Sequence, residues 1–418
     1  MSPYLLTALF LAALAVSVGL QFWLAARQRR YVLAHRDAVP AHFDTRISLA
    51  AHRKAADYTV ARGRLAVVEI ILDPIVLLAL TLGGGLAWLA ELCATLPFAP
   101  LFRDVALVVV VALIAGALSL PLAWYRTFVL EQRFGFNRTT LRLWIADIMK
   151  STLIAAALGI PLLTLVLWLM ERAGNWWWLG AWVAWVAFQA LVLVLYPTVI
   201  APLFNSFRPL TDASVRERIE RLLARCGFAA KGLFVMDGSK RTAHGNAYFT
   251  GFGAARRIVI FDTLIARLAP EEIEAVLAHE LGHFKLRHVL KRAVWFALGS
   301  LVLLALLGWL VGEPWFYAGL GVPGPAPRYG VALVLFMLAL PVFTFLVTPF
   351  AASYSRRHEY EADRYAAGHA SAAALVEALV KLYEDNASTL TPDPVYSAFY
   401  DSHPPAAARI ARLEAVPA

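Results

Sequence analysis

Apolar side chains in this chain gather into seven long runs, at approximately 4–25, 66–90, 104–124, 151–171, 176–198, 290–311 and 330–351. A helix needs about 20 such residues to cross a bilayer, so each run predicts a transmembrane span. The second and sixth are the least uniform: Glu69 and Asp73 interrupt one, and Lys291 and Arg292 stand at the entry to the other. Between the fifth and sixth runs, and again after the seventh, the pattern becomes that of water-soluble protein. Val215, Ile219, Leu222, Leu223 and Cys226 recur at helical spacing, predicting an amphipathic helix over 212–227 that Gly227 closes. Short strands are expected at 233–236, 247–250 and 258–261, separated by turns containing Gly and Arg. A helix over 270–288 opens on Pro270, with Glu271 and Glu272 in its first turn, where the helix dipole favours anions. Two more helices follow the last span, over 355–370 and 372–386. The expected fold is mainly α and multi-pass. Residues 1–198 carry spans one to five, 199–289 form an aqueous segment with a small β-sheet, 290–351 carry spans six and seven, and 352–418 form a second aqueous piece.

Basic residues supply the orientation. Loop 26–65 holds Arg27, Arg29, Arg30, Arg36, Arg46, Arg53, Lys54, Arg62 and Arg64, and loop 125–150 holds Arg126, Arg133, Arg138, Arg142 and Lys150. The alternate loops carry only Arg103, Arg172 and Arg328. By the positive-inside rule the N-terminus faces outward, and both aqueous pieces face the cytoplasm. Composition agrees: 60% of residues are hydrophobic, only 16% are charged, and the mean hydropathy is +0.63. A soluble chain averages about 25% charged residues. The net charge of +9 is accounted for by the cytoplasmic loops. With no RNA-binding or helix-turn-helix pattern, the expected partner is the lipid bilayer, not nucleic acid. Cys93 and Cys226 fall on opposite sides of the membrane by this topology, which predicts neither a disulfide nor a metal cluster. The start, Met1-Ser2-Pro3-Tyr4-Leu5, has no basic n-region and no small-residue cleavage site follows, so the first run reads as a retained span.

The chemistry lies in Ala278-His279-Glu280-Leu281-Gly282-His283. Histidines four apart share one helical face, a spacing that lets both imidazoles reach one Zn²⁺. Glu280, beside the first ligand, is placed to take the proton of the attacking water. A bare motif of this kind is moderately specific; its place on an amphipathic helix, with Ile273, Val276, Leu277, Leu281 and Phe284 as the buried stripe, strengthens it. A catalytic zinc needs a third protein ligand and an open position. His288 lies about 140° around a continuous helix from His283, which makes it a polar-face residue. Glu359 and Asp363, one turn apart after the last span, offer instead a carboxylate ligand and an acid to accept a hydrogen bond from a ligating histidine. Glu361 points elsewhere and reads as solvated. Glu69 and Asp73 face either a water-filled interior or, for Glu69, the neighbouring Arg62 or Arg64.

Together these pieces resemble the CAAX prenyl protease 1 family, seven-span zinc endopeptidases of membranes. The resemblance rests on Phe134-Gly135-Phe136-Asn137, Pro202-Leu203-Phe204-Asn205, Gly245-Asn246-Ala247-Tyr248-Phe249, Arg257-Ile258-Val259-Ile260-Phe261-Asp262-Thr263, the histidine motif, Ser355-Arg356-Arg357 with Glu359 and Asp363, and Asp401-Ser402-His403-Pro404-Pro405. It runs from 134 to 405 in order; the first 130 residues match mainly in hydropathy. It implies a gluzincin-like cytoplasmic domain at the mouth of a chamber enclosed by the spans, with one Zn²⁺. It further implies that the strand at Asn246 and Ala247 receives substrate as an added β-strand, and that His403 and Arg409 stabilise the oxyanion. The family removes the last three residues of prenylated proteins.

An Ala- and Arg-rich chain ending on Pro417-Ala418, without an ER retrieval signal, points to a bacterial inner membrane. Two other readings compete: an HtpX-like protease of misfolded membrane proteins, and a non-catalytic scaffold with structural zinc. A closed structural site normally has four Cys or His ligands, whereas two His and one Glu leave a position open.

Overall fold

The computed structural model describes residues 1–228, 232–250 and 257–415. Its spans begin with α1 (Pro3–Ala34), the pair α2 (Leu49–Leu80) and α3 (Gly85–Ala94), α4 (Pro100–Phe134), α5 (Leu141–Arg172) and α6 (Gly174–Phe204). The aqueous helices α7 (Ala213–Arg225) and α8 (Pro270–Lys285) follow, then the spans α9 (His288–Leu310) and α10 (Tyr329–His369). Three short helices close the chain: α11 (Ala372–Asp385), α12 (Pro394–Tyr400) and α13 (Ala406–Glu414).

Six of the spans are single runs, and α2 with α3 makes a seventh only as a pair bent by 50°. The continuous helix expected at 66–90 is therefore broken. Three successive glycines allow it: Gly84 adopts φ +78°, and a Cβ on Gly85 would sit 2.7 Å from the Ala79 carbonyl oxygen. Both α1 and α2 have 32 residues, about 48 Å at 1.5 Å per residue, so much of the basic 26–65 stretch is helix projecting past the bilayer. In α1, α4, α5, α6 and α9 only 6–17% of residues in the most apolar stretch are buried. A compact bundle would bury far more; these helices form the wall of a cage.

Both basic stretches lie against the aqueous part. Arg27 pairs with Asp393 at 3.0 Å, Arg46 with Glu377 at 3.4 Å and Asp147 with Arg241 at 2.8 Å. Loops one and three thus share a side with the site, as their charge predicts.

The aqueous part has a four-stranded sheet in the order β1-β2-β4-β3, with β1 (Phe207–Pro209), β2 (Leu233–Met236), β3 (Ala247–Thr250) and β4 (Arg257–Phe261). The β2–β4 pair is parallel and the other two are antiparallel. β1 is an addition to the sequence reading, and the turn expected between β3 and β4 lies outside the described residues. One core joins this sheet to the helices, through Ile219 and Leu222 of α7, Ile258 and Ile260, Ile273, Leu277 and Leu281 of α8, and Leu379 and Ile410.

Two helix boundaries differ from expectation. The helix over 270–288 ends at Lys285, because Arg287 takes a left-handed conformation (φ 57°) and α9 starts afresh at His288. The helix expected from 355 is no separate element: a short 3₁₀ turn at Phe345–Val347 carries the seventh span directly into it, making α10 one run.

Candidate metal centre

The site forms where α8 lies along the aqueous end of α10. Glycine permits the close approach: a Cβ on Gly282 would stand 3.1 Å from the Cα of Ala362 and 3.1 Å from the Cβ of Tyr365. Glu272 pins the start of α8, accepting from the Ala269 backbone N–H at 2.8 Å and from Lys381 of α11 at 2.7 Å. His279, His283 and Glu359 then converge. His279 Nε2 lies 3.2 Å from His283 Nε2 and 3.5 Å from Glu359 Oε2, and His283 Nε2 lies 3.3 Å from Glu359 Oε1.

Those separations test the donor set. Ligand atoms about 2.0–2.1 Å from a tetrahedral zinc are about 3.3–3.4 Å apart, close to each of these separations, the two to Glu359 ending on different carboxylate oxygens. Two imidazole nitrogens and a carboxylate turned toward one point also suit zinc chemically. The buried Glu359 Oε2 meets no hydrogen-bond donor at a good angle, although His403 Nδ1 comes within 2.8 Å of it. The local field is cation-seeking as well. Burial would lower the pKa of His279, yet hydrogen bonding to Asp363 and Glu359 raises it to about 9. His279 Nδ1 is 2.9 Å from Asp363 Oδ1, which leaves its Nε2 for the metal point. Arg409, itself buried, grips the same acid with Nε at 2.9 Å and Nη2 at 2.5 Å.

Glu280 follows His279 on α8. Burial pushes its carboxyl up, and His279 and His283 pull it part of the way back. A base whose pKa is raised toward neutrality is a better proton acceptor at working pH. His403 arrives from the loop between α12 and α13, with Nδ1 2.8 Å from Glu359 Oε2 and its side chain 64% exposed. Arg356 of α10 ties that loop down, donating from Nη1 to the carbonyl oxygen of Asp401 at 2.7 Å.

β3 is the outer strand of the sheet on the α8 side and packs against that helix. The Phe261 N–H donates to the Asn246 carbonyl at 2.9 Å, so by antiparallel alternation Ala247 and Phe249 turn their backbone groups to the open edge. Ala247 donates its N–H to Asn246 Oδ1 at 2.8 Å. A cavity of about 1150 Å³ opens beside the centre, with Glu69, Asp73, Arg126, His403 and Arg409 in its wall.

Residues 28–206 match the family described as CAAX prenyl protease N-terminal, five membrane helices, and residues 209–416 match peptidase family M48. CAAX prenyl protease 1 of Saccharomyces cerevisiae is 37% identical over 318 residues, 71% of this chain and 69% of its own length. The Arabidopsis thaliana homolog is 34% identical over 357 residues, 83% and 82% of the two chains. The crystal structure of S. mikatae Ste24p superposes with a TM-score of 0.91 at 30% identity, covering 98% of this chain and 99% of that one. The chain belongs to the CAAX prenyl protease 1 family. It is a multi-pass membrane metallopeptidase.

Within that family frame, the sequence readings of His288, Glu361 and Glu69 are settled differently. His288 is no polar-face residue: it is fully buried, because the turn at Arg287 takes it off the axis of α8 and folds it back against His283. Glu361 is half-exposed and bonded to His288, not simply solvated. Of the two readings of Glu69, the one facing a water-filled interior agrees with the structure: Glu69 and Asp73 line the cavity, and Glu69 pairs with Arg126, not with Arg62 or Arg64. Sequence reasoning missed Gly282 and Arg356, whose signals were present as the glycine inside the histidine motif and the Ser355-Arg356-Arg357 run.

Proposed function

We propose that this metallopeptidase binds one Zn²⁺ through His279, His283 and Glu359 and cuts peptide bonds near the C-terminus of prenylated proteins, the substrate class in its relatives' names. The convergence of the donors is the observation that carries the metal assignment: the two Nε2 atoms are 3.2 Å apart, and each lies 3.3–3.5 Å from one of the two Glu359 oxygens. Zinc held there would supply an acidified water and polarise the scissile carbonyl. Glu280 accepts the proton of the attacking water and returns it to the leaving nitrogen. His403, on the rim of the centre, donates to the oxygen that becomes negative, and Arg409 adds positive charge behind it. Asp363 holds the Nδ1–H of His279 and keeps Nε2 free for the metal.

The substrate backbone adds to β3, pairing with the exposed groups of Ala247 and Phe249. Main-chain pairing reads many sequences. Asn246, whose side chain covers the Ala247 N–H, swings to the incoming strand. The basic loops packed against the site support a cytoplasmic active site with the N-terminus outside. The sequence composition favours a bacterial inner membrane.

Converting Glu280 to Gln tests the core of this reading. Cleavage of a prenylated C-terminal peptide should fall by about 10²–10⁴-fold while zinc stays bound one per chain. Undiminished cleavage would remove Glu280 from the mechanism. Wild-type protein that holds no zinc, or cleaves equally well after chelation, would remove the metal.

A further inference from the structure

A second cluster of metal-binding residue types lies beside the centre: His288, His358 and Glu361. Its geometry rejects a second ion. The rings of His288 and His358 are stacked, 4.0 Å between centroids and 6° apart in plane. Nitrogen lone pairs lie in the ring plane, so an ion in the plane of one imidazole would sit far out of the plane of the other. The Nδ1 of His358 is buried without a hydrogen bond, so this ring acts through its face, clamping His288.

The hydrogen bonds tell another story. His283 Nδ1 is 2.9 Å from His288 Nδ1, and His288 Nε2 is 3.0 Å from Glu361 Oε2. His283 Nε2 faces His279 and Glu359 across the metal point, so its proton resides on Nδ1. His288 Nδ1 must then accept, which puts its own proton on Nε2, aimed at the Glu361 carboxylate. Every donor meets an acceptor in one tautomeric arrangement only.

Resting on the zinc reading above, we infer that His288 and Glu361 are positioning residues for the metal ligand His283, forming an imidazole–carboxylate relay that fixes its tautomer and ring plane. His279 is held directly by Asp363; His283 is held by an acid one imidazole further away. The fold produces the relay by breaking the helix at Arg287, which returns His288 to the ligand, and by placing Glu361 on α10 two residues beyond Glu359. Its contribution is metal affinity, since a ligand that must find its tautomer on binding binds less tightly.

The test is the zinc dissociation constant of purified full-length protein in detergent, by competition with a chromophoric chelator. His288→Leu should weaken zinc about 10- to 100-fold. Glu361→Ala, at a half-exposed position that threatens the fold little, should weaken it about 2- to 10-fold. Glu361→Gln, whose amide oxygen still accepts from the ring, should recover most of that loss. The double variant should bind no more weakly than His288→Leu alone, because without His288 the acid has no path to the metal. Wild-type affinity in Glu361→Ala, no recovery in Glu361→Gln, or additive losses in the double variant would overturn the relay. Wild-type protein that binds no zinc would instead sink the metal assignment, and the relay with it.

Discussion

Gly282 sits inside the histidine motif, between Leu281 and His283, and nothing in zinc chemistry requires it. Its role is steric, and the consequences of replacing it can be worked out. A Cβ at this position meets Ala362 Cα and Tyr365 Cβ at 3.1 Å and the Ala362 carbonyl oxygen at 3.2 Å. Ordinary carbon contacts are about 3.5–4.0 Å, so α8 and α10 must part by a few tenths of an ångström. Those are the helices whose separation sets the distance from His279 and His283 to Glu359. Zinc sites tolerate about ±0.2 Å in ligand distance, so the displacement consumes the tolerance of the centre. Overpacking costs about 1–3 kcal/mol, while Ala for Gly in a helix returns about 0.5–1 kcal/mol. The fold should therefore lose little and the metal much.

Gly282→Ala should bind zinc at least about tenfold more weakly, ~1.4 kcal/mol, with the melting temperature of the chelated protein shifted by a few degrees only. Gly282→Val should be worse on both counts. Chelator competition and thermal unfolding of the metal-free protein separate the two effects. If Gly282→Ala keeps wild-type zinc affinity, the closeness of α8 and α10 does not set the spacing of the donors and the reasoning fails.

Asp363→Asn should weaken zinc about 10- to 100-fold, since the amide can turn a donor toward His279; an unchanged dissociation constant would show that this acid does not hold the ligand. Arg356→Ala should lower kcat by releasing the loop that carries His403, with zinc content unaltered; zinc loss in this variant would mean that the contact supports the centre itself. Asn246→Ala should raise KM for peptide substrates about 2- to 10-fold without touching zinc affinity, and a change in kcat alone would count against the added-strand mode.

Hydropathy and spacing carried much of this structure. Seven apolar runs gave the spans, the buried positions of α7 fell where helical spacing put them, and His279, His283 and Glu359 meet as their types and positions suggested. What escaped depended on backbone conformation at single residues. Arg287 is an unremarkable basic residue in sequence, yet its left-handed turn decides whether His288 is a solvated side chain or a buried hydrogen-bond partner. Likewise Gly84 and its neighbours turn one expected span into a bent pair. Angular arguments along a helix hold only while the helix continues, and periodicity gives no warning of a single positive φ. The cavity was expected from the family resemblance and from Glu69 and Asp73, and periodicity alone could not have found it. An inward wall of apolar residues facing a chamber has the same pattern as one facing lipid, so only the low burial of the spans distinguishes them.

Both helices that supply the metal donors are tied to spans without a flexible link. α10 runs from the bilayer through a single 3₁₀ turn to Glu359 and Asp363, and α8 passes to α9 across Leu286 and Arg287. The centre is therefore held by the cage as much as by its own core. Residues 199–289 alone would carry both histidines and the base but would lack Glu359, Asp363 and Arg409, leaving His279 without its acid and the donor set one member short. The same rigid attachment explains how His403 and Arg409 come to line the cavity while touching Glu359: α12 and α13 are fastened to α1 by the Arg27–Asp393 pair and to α10 by Arg356 and Arg409. The candidate centre and the chamber meet at one wall because the residues of the former are bolted to the helices that build the latter.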